Sequence, residues 1–365
     1  MEEGIIMSYR LLGLLLSIAL FVFLILKRFD RKWKKRLLLT FSFLFFLFMT
    51  FWYLVPLTPA PKPGGEKEVL TDIVFYKHES SFPDMLTGEG EREIPVRLWY
   101  PKDAKEHSQP LFVFSHGSFG VGTSNETLFL ELASRGYVVM SLEHPYHSFM
   151  TTLSDGRRVT VDFGFMKSVL SSQGSKDLEG TLESLRNWLE IRREDLHFVL
   201  DQVLDAEADN EYERYIDTDR IILSGHSLGG SAALAVGRER AEQVKALVVL
   251  ESPFAMDIEG IEGEEYIFTD EPFPLAILHI YSDSLYPKIG EITTYAMNDR
   301  LIKSTDPKFV NKHIEGVGHI GLTDMSLVSP IITNWIDGGL NKRKAPETLF
   351  ELNRYVREFL EVYGR

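Results

Sequence analysis

The chain has 365 residues, no cysteine and a formal net charge of −14. That length holds one large domain of roughly 250–300 residues with chain to spare. The missing thiols exclude cysteine nucleophiles, disulfides and cysteine-built metal centres. The charge is uneven. Residues 1–57 carry eight basic and three acidic side chains, which leaves −19 on the remainder, too acidic to grip nucleic acid through a broad basic face.

Two apolar runs come first. Leu11–Leu26 is uncharged and extends back to Ile5 if Arg10 snorkels to an interface. The second run, LLLTFSFLFFLFMTFWYLVPL at 37–57, has the length that a bilayer core of about 30 Å requires. Neither run has a polar face, and the start MEEG lacks the basic region of a signal peptide. Residues 5–26 and 37–57 therefore predict a transmembrane helical hairpin seated in a lipid bilayer. The loop between them, KRFDRKWKKR, has seven basic residues to one acidic, which predicts a cytoplasmic loop. Everything after Leu57 then lies on the extracytoplasmic side. Trp52 and Tyr53 fall where an aromatic belt would sit. TPAPKPGGE follows, and residues 58–68 read as a Pro/Gly linker, stiff and then loose.

From about Val69 short apolar runs alternate with longer amphipathic ones. Strands are expected at Ile94–Tyr100, Leu111–Ser115, Tyr137–Leu142, Arg220–Ser224, Lys245–Leu250 and Leu275–Tyr281, several of them continuous β-rich runs. Helices are expected at Glu126–Arg135, Thr181–Ala206, Ser231–Glu242 and Asp324–Ile336. The alternation predicts an α/β domain over residues 69–340, a doubly wound, mostly parallel sheet. Residues 144–180 read as a loop or partial cap beside a site, with surface decoration as the alternative. Residues 341–365 have helical apolar spacing at Leu349, Leu352, Tyr355, Val356, Phe359 and Leu360, which suits a helix packed on that domain.

The chemistry concentrates at IILSGHSLGGSAAL, residues 221–234. A strand runs into Gly225-His226-Ser227-Leu228-Gly229 and a small-residue helix follows. A serine nucleophile needs that strained strand-to-helix turn, with glycines two residues either side, so that its Oγ projects above the sheet. The N–H of Leu228 would supply one oxyanion donor. The second would come from LFVFSHGSFG at 111–120, where Ser118 N–H is the first choice and Phe119 the next. His116 in that loop reads as structural, its ring holding the loop. The general base should follow the last strand. In VNKHIEGVGHIGLTDM, His313 lies within the apparent strand, whereas His319 follows Gly316 and Gly318 on a loop and is the chosen base. Two carboxylates end strands between serine and histidine: Glu251 in LVVLESPF and Asp283 in LAILHIYSDS. Either could orient the imidazole.

Together RLWYP (97–101), SHGSFG, LASRGYVVMSLEHPYHS (132–148), REDLHFVLDQVL (193–204), GHSLGG and VGH resemble the platelet-activating factor acetylhydrolase branch of the α/β-hydrolases. The resemblance spans roughly residues 94–325. It implies an α/β-hydrolase fold, Ser227 as nucleophile, His319 as base, and the N–H groups of Ser118 and Leu228 as oxyanion hole. Its acid is an aspartate at the strand end where this chain has Glu251. Either Glu251 serves instead, or the acid has moved to Asp283. The expected activity is a membrane-tethered serine carboxylic ester hydrolase working through an acyl-enzyme, with no metal and no organic cofactor. Its substrate would be a small-molecule or lipid ester, short-chain or modified phospholipid esters included. A broad esterase or a polyester- or dienelactone-type hydrolase is the alternative, and a non-catalytic tethered binding module a more distant one.

Overall fold

The computed structural model describes residues 2–82, 88, 90–205 and 212–365. Its centre is an eight-stranded sheet: β1 Val69–Glu79, β2 Glu91–Pro101, β3 Gln109–Ser115, β4 Val138–Leu142, β5 Ile216–His226, β6 Val244–Leu250, β7 Ala276–Tyr281 and β8 Phe309–His313. The spatial order is β1-β2-β4-β3-β5-β6-β7-β8. β2 pairs antiparallel with both β1 and β4, and every other pair is parallel. β3 and β4 are buried along their whole length, which is why both read as unbroken apolar runs.

Alternation along the strands divides the core into two layers. Leu111 and Val113 join one, with Leu189, Leu196 and Val199 of α5 (Leu178–Leu204) and Ala232 of α6 (Leu228–Glu239). Phe112 and Phe114 join the other, with Leu128 and Phe129 of α3 (Glu126–Ala133) and Leu352 and Val356 of the C-terminal helix Ala345–Tyr363. Each buried large side chain contributes about 1.5–3 kcal/mol of hydrophobic transfer. The tail helix is thus part of the second layer.

Several elements depart from the sequence expectation. β1 has a mostly exposed or half-buried face, which hides it from an apolar-run reading. The predicted helix over 324–336 breaks into Met325–Val328 and Pro330–Ile336, because Pro330 cannot continue the ladder and Ser329 caps Ile332 N–H at 3.1 Å. α5 starts earlier than expected, since Asp177 caps Gly180 N–H at 3.0 Å; its expected end, Ala206, lies outside the described residues. Residues 144–180 form a short hairpin, Met150–Thr152 with Arg158–Thr160, and the helix α4, Phe163–Ser172.

At the N-terminus α1 (Glu2–Leu26) and α2 (Lys32–Leu54) form a helical pair. Both are long and apolar enough to cross a membrane, and little of either is buried. α2 begins within the basic loop and stops at Leu54, because Pro56 disfavours helix at the residue before it. Arg10 ties α1 to the far end of α2: it donates to the carbonyls of Trp52 at 2.7 Å and Pro56 at 3.2 Å. The segment after α2 is likewise not loose. Thr58 N–H donates to Leu327 O at 2.7 Å, Gly64 N–H to Glu131 at 2.6 Å and Lys67 N–H to Ser134 O at 3.0 Å. It is a strap laid along the domain.

Candidate active site

The carboxyl ends of β5, β6, β7 and β8 lie side by side, and the sequence-predicted residues gather there. Ser227 follows β5 in a left-handed conformation, φ 52°, and α6 begins at the next residue. A non-glycine residue held there is strained, and the strain is sustained only because its surroundings leave no alternative. Those surroundings are glycines. A Cβ on Gly229 would lie 2.0 Å from Ser115 O, and one on Gly225 would lie 2.5 Å from the backbone of Gly229 and Gly230. Ser227 N–H is pinned to Leu250 O at 2.9 Å, so the elbow is fastened to the end of β6.

Glu251 is the first residue beyond β6, fully buried and also left-handed at φ 48°. Its N–H donates to Ile280 O at 2.8 Å, and its carboxylate accepts from Ser282 N–H at 2.9 Å and from Ser282 Oγ at 2.8 Å. The other oxygen, Oε2, also lies 2.8 Å from Ser282 Oγ and takes His319 Nδ1 at 2.6 Å. A buried carboxylate is tolerable only when its lone pairs are met by donors, and here they are. Asp283 faces elsewhere: it accepts from His313 Nε2 at 2.8 Å and Gly316 N–H at 2.8 Å. Of the two candidate acids, Glu251 is brought to His319 and Asp283 to His313.

The loop carrying His319 is held from three sides. His319 N–H donates to Ser284 Oγ at 2.9 Å, Ile320 and Gly321 N–H both donate to Asp337 at 2.9 Å, and Gly318 N–H donates to Asn341 at 2.8 Å. His226, the residue before Ser227, donates from Nε2 to His319 O at 3.2 Å, with the two rings 4.5 Å apart. Burial lowers the affinity of His319 for a proton, but the hydrogen bond and charge of Glu251, and the charge of Asp337, outweigh it and leave the pKa above the ordinary imidazole value. Because Nδ1–H is committed to Glu251, Nε2 is the free acceptor.

The 116–120 loop packs against this elbow. A Cβ on Gly117 would lie 3.3 Å from the Ser227 Cβ and 2.7 Å from His226 Nδ1. Phe119, the second choice of donor, spends its N–H on His147 O at 3.1 Å. Leu228 is the first residue of α6, where N–H groups have no intrahelical acceptor. His116 is buried; its ring contacts Gly117 O at 2.7 Å and Ser148 Oγ at 2.8 Å, and burial drives its pKa well below the ordinary value. The 144–180 segment sits directly on this loop, with His147 stacked on Phe165 of α4 at 3.8 Å and Phe119 against Phe165 at 5.6 Å.

Sequence reasoning passed over a buried polar cluster behind the loop: Arg92, Ser115, His144, Arg192 and Asp195. Charged residues at buried positions of the apolar-periodic α5 were the available signal. Among the described residues, no group of three or more His, Asp or Glu is arranged to hold a metal ion.

Comparison with known proteins agrees with the resemblance read from the sequence. Residues 86–254 match the family Platelet-activating factor acetylhydrolase, isoform II. The platelet-activating factor acetylhydrolase of Bos taurus is 29% identical over 139 residues, 34% of this chain and 31% of that protein. That of Cavia porcellus is 25% identical over 225 residues, 48% of this chain and 52% of its own length. The chain thus spans between about a third and a half of these relatives. A ferulic acid esterase from Streptomyces cinnamoneus superposes over 85% of this chain and 94% of its own, with a TM-score of 0.61 at 20% identity. That likeness establishes the α/β-hydrolase fold.

Proposed function

We propose, for this relative of the platelet-activating factor acetylhydrolases, that it is a serine carboxylic ester hydrolase in which Ser227 is the nucleophile, His319 the base and Glu251 the acid. The observation that carries the reading is the 2.6 Å bond from His319 Nδ1 to buried Glu251, beside a serine held on a strained strand-to-helix turn. Ser227 Oγ attacks the ester carbonyl carbon while His319 Nε2 takes its proton. Negative charge then grows on the carbonyl oxygen, and the N–H groups of Ser118 and Leu228 receive it. Collapse breaks the bond to the alcohol, which leaves with the proton returned by His319. Water, deprotonated by the same imidazole, releases the acid from the acyl-enzyme. A fluorophosphonate probe and p-nitrophenyl acetate test this on the full chain. Absence of both labelling and turnover in a folded sample overturns it.

The base acts only when neutral, so the His319 pKa sets the acid limb of activity. That pKa is raised above 6.5 by Glu251 and Asp337 against the opposing effect of burial. The kcat/KM profile is therefore expected to fall as pH drops through a midpoint above that of an ordinary imidazole. A midpoint that does not move down in Glu251→Gln contradicts the assignment of Glu251 as its partner.

The same reading places the enzyme on a membrane through α1 and α2, with the catalytic domain extracytoplasmic. Supporting it are two apolar helices with little burial and a connecting loop of seven basic residues to one acidic. Protease added to intact cells is expected to digest the domain; digestion only after lysis overturns this orientation. The 144–180 segment, which packs on the 116–120 loop, exposes Phe149, Phe163 and Leu170 to solvent. Apolar side chains there suit a lipid ester with a short or modified acyl chain. The second reading, a broad esterase with no lipid role, is favoured by the fold's likeness to an esterase, and a flat acyl-chain-length profile would select it.

A further inference from the structure

The candidate oxyanion donor Ser118 N–H shares a peptide group with the carbonyl of Gly117, and in a trans peptide the two point in opposite directions. That carbonyl is the most heavily engaged group of the loop. It accepts from Gly120 N–H at 3.1 Å, lies 2.7 Å from His116 Nδ1, and accepts from Arg192 Nη2 at 3.3 Å. Arg192 Nη1 also donates to His116 O and reaches Ser115 Oγ at 3.4 Å. One guanidinium therefore forks two successive carbonyls of the loop that packs on Ser227.

Arg192 is fully buried, yet it has no carboxylate hydrogen-bonded to it among the described residues. Asp195, the acid whose charge acts on it, is taken by Arg92 through two bonds at 2.7 and 3.0 Å and by His144 at 2.7 Å. Burial pushes Asp195 towards protonation, but Arg92 and His144 hold its carboxyl well below the ordinary carboxylate range. Burial holds His144 at a pKa of about 4 and His116 well below 6.5, so both rings are neutral at pH 7. Arg192 therefore feels the charge of Asp195 only at second hand, since both oxygens of that carboxylate are bonded to other groups. Burying a guanidinium without its own counter-ion is expensive, and packing alone gives no reason for it. A site that must receive an oxyanion on the opposite face of the same peptide does.

We propose that Arg192 is the positioning residue of the oxyanion hole: by gripping the carbonyls of His116 and Gly117 it turns the Ser118 N–H towards the Ser227 site, and its buried charge strengthens that donor as the oxyanion forms. The proposal rests on the ester hydrolase reading above. Its effect belongs to the transition state, so loss of Arg192 lowers kcat and leaves KM nearly unchanged.

The test compares full-chain wild type, Arg192→Gln and Arg192→Lys on p-nitrophenyl acetate, with active sites counted by fluorophosphonate titration and folding followed by circular dichroism. Per titrated site, kcat is expected to fall about 10²-fold in Arg192→Gln. It is expected to fall about 10-fold in Arg192→Lys, where an ammonium keeps the charge but cannot fork two carbonyls. KM should stay within about threefold, and affinity for a trifluoromethyl ketone, which forms a tetrahedral adduct, should fall in parallel with kcat. A purely structural role predicts a lower melting temperature and fewer titratable sites with wild-type kcat per site, and that result overturns the proposal. Should Arg192→Gln fail to fold, Arg192→Lys carries the same comparison. An inactive, unlabelled wild type instead overturns the ester hydrolase reading and this one with it.

Discussion

Ser227→Ala is expected to lower kcat by about 10⁴-fold or more and to abolish fluorophosphonate labelling, with no loss of folded structure. Alanine keeps the Cβ and removes only the hydroxyl, so the turn at φ 52° and the bond from residue 227 N–H to Leu250 O are untouched. Residual activity over water comes from the oxyanion donors and substrate binding alone. His319→Ala should fall nearly as far, and the double variant should be little worse than either single one, because the two residues act as a unit. Labelling that survives Ser227→Ala would place the nucleophile at another serine.

Glu251→Gln against Asp283→Asn is the second large contrast. Glutamine fits the space of Glu251 and can still accept from Ser282, but its amide meets Nδ1 of His319 with a donor in place of an acceptor. The imidazole is then driven to the wrong tautomer. A fall in kcat of about 10³- to 10⁴-fold is expected, with the acid limb of the pH profile moved down. Asp283→Asn breaks its contact with His313 and keeps an acceptor for Gly316 N–H, so kcat should stay within about fivefold. Equal losses in both variants, or a larger one in Asp283→Asn, would return the acid role to Asp283.

Glu251 sits where the resemblance implies an aspartate, and the local geometry accommodates the extra methylene. Its backbone turns left-handed as soon as β6 ends, and the side chain approaches His319 across Ser282, the first residue beyond β7. His279 and Asn298 fasten the turn from behind: Ser252 N–H donates to His279 Nε2 at 3.1 Å and Asn298 donates to Ser252 O at 2.9 Å. The position of Glu251 is therefore set by β6, by β7 and by α7, Ala296–Ile302, which carries Asn298. A sequence holds no record of that convergence.

What the sequence determined by itself is what local chemistry dictates. Ser227 was legible because an elbow needs glycine at 225 and 229 beside a strand and a small-residue helix, all contiguous in the chain. The parallel strands were legible because burial on both faces writes itself as unbroken apolar runs. α1 and α2 were legible because hydropathy alone marks a helix of that length. Tertiary structure decided what depends on residues far apart meeting. It brought Glu251 to His319 and Asp283 to His313, since two strand ends can look alike in sequence and differ in which way their side chains turn. It laid residues 58–68 on the domain through bonds to Glu131, Ser134 and Leu327, although Pro and Gly alone read as a tether. It also placed Arg192 behind the Gly117–Ser118 peptide, 75 residues away in sequence, where a charge on an apolar helix face finds two carbonyls to hold.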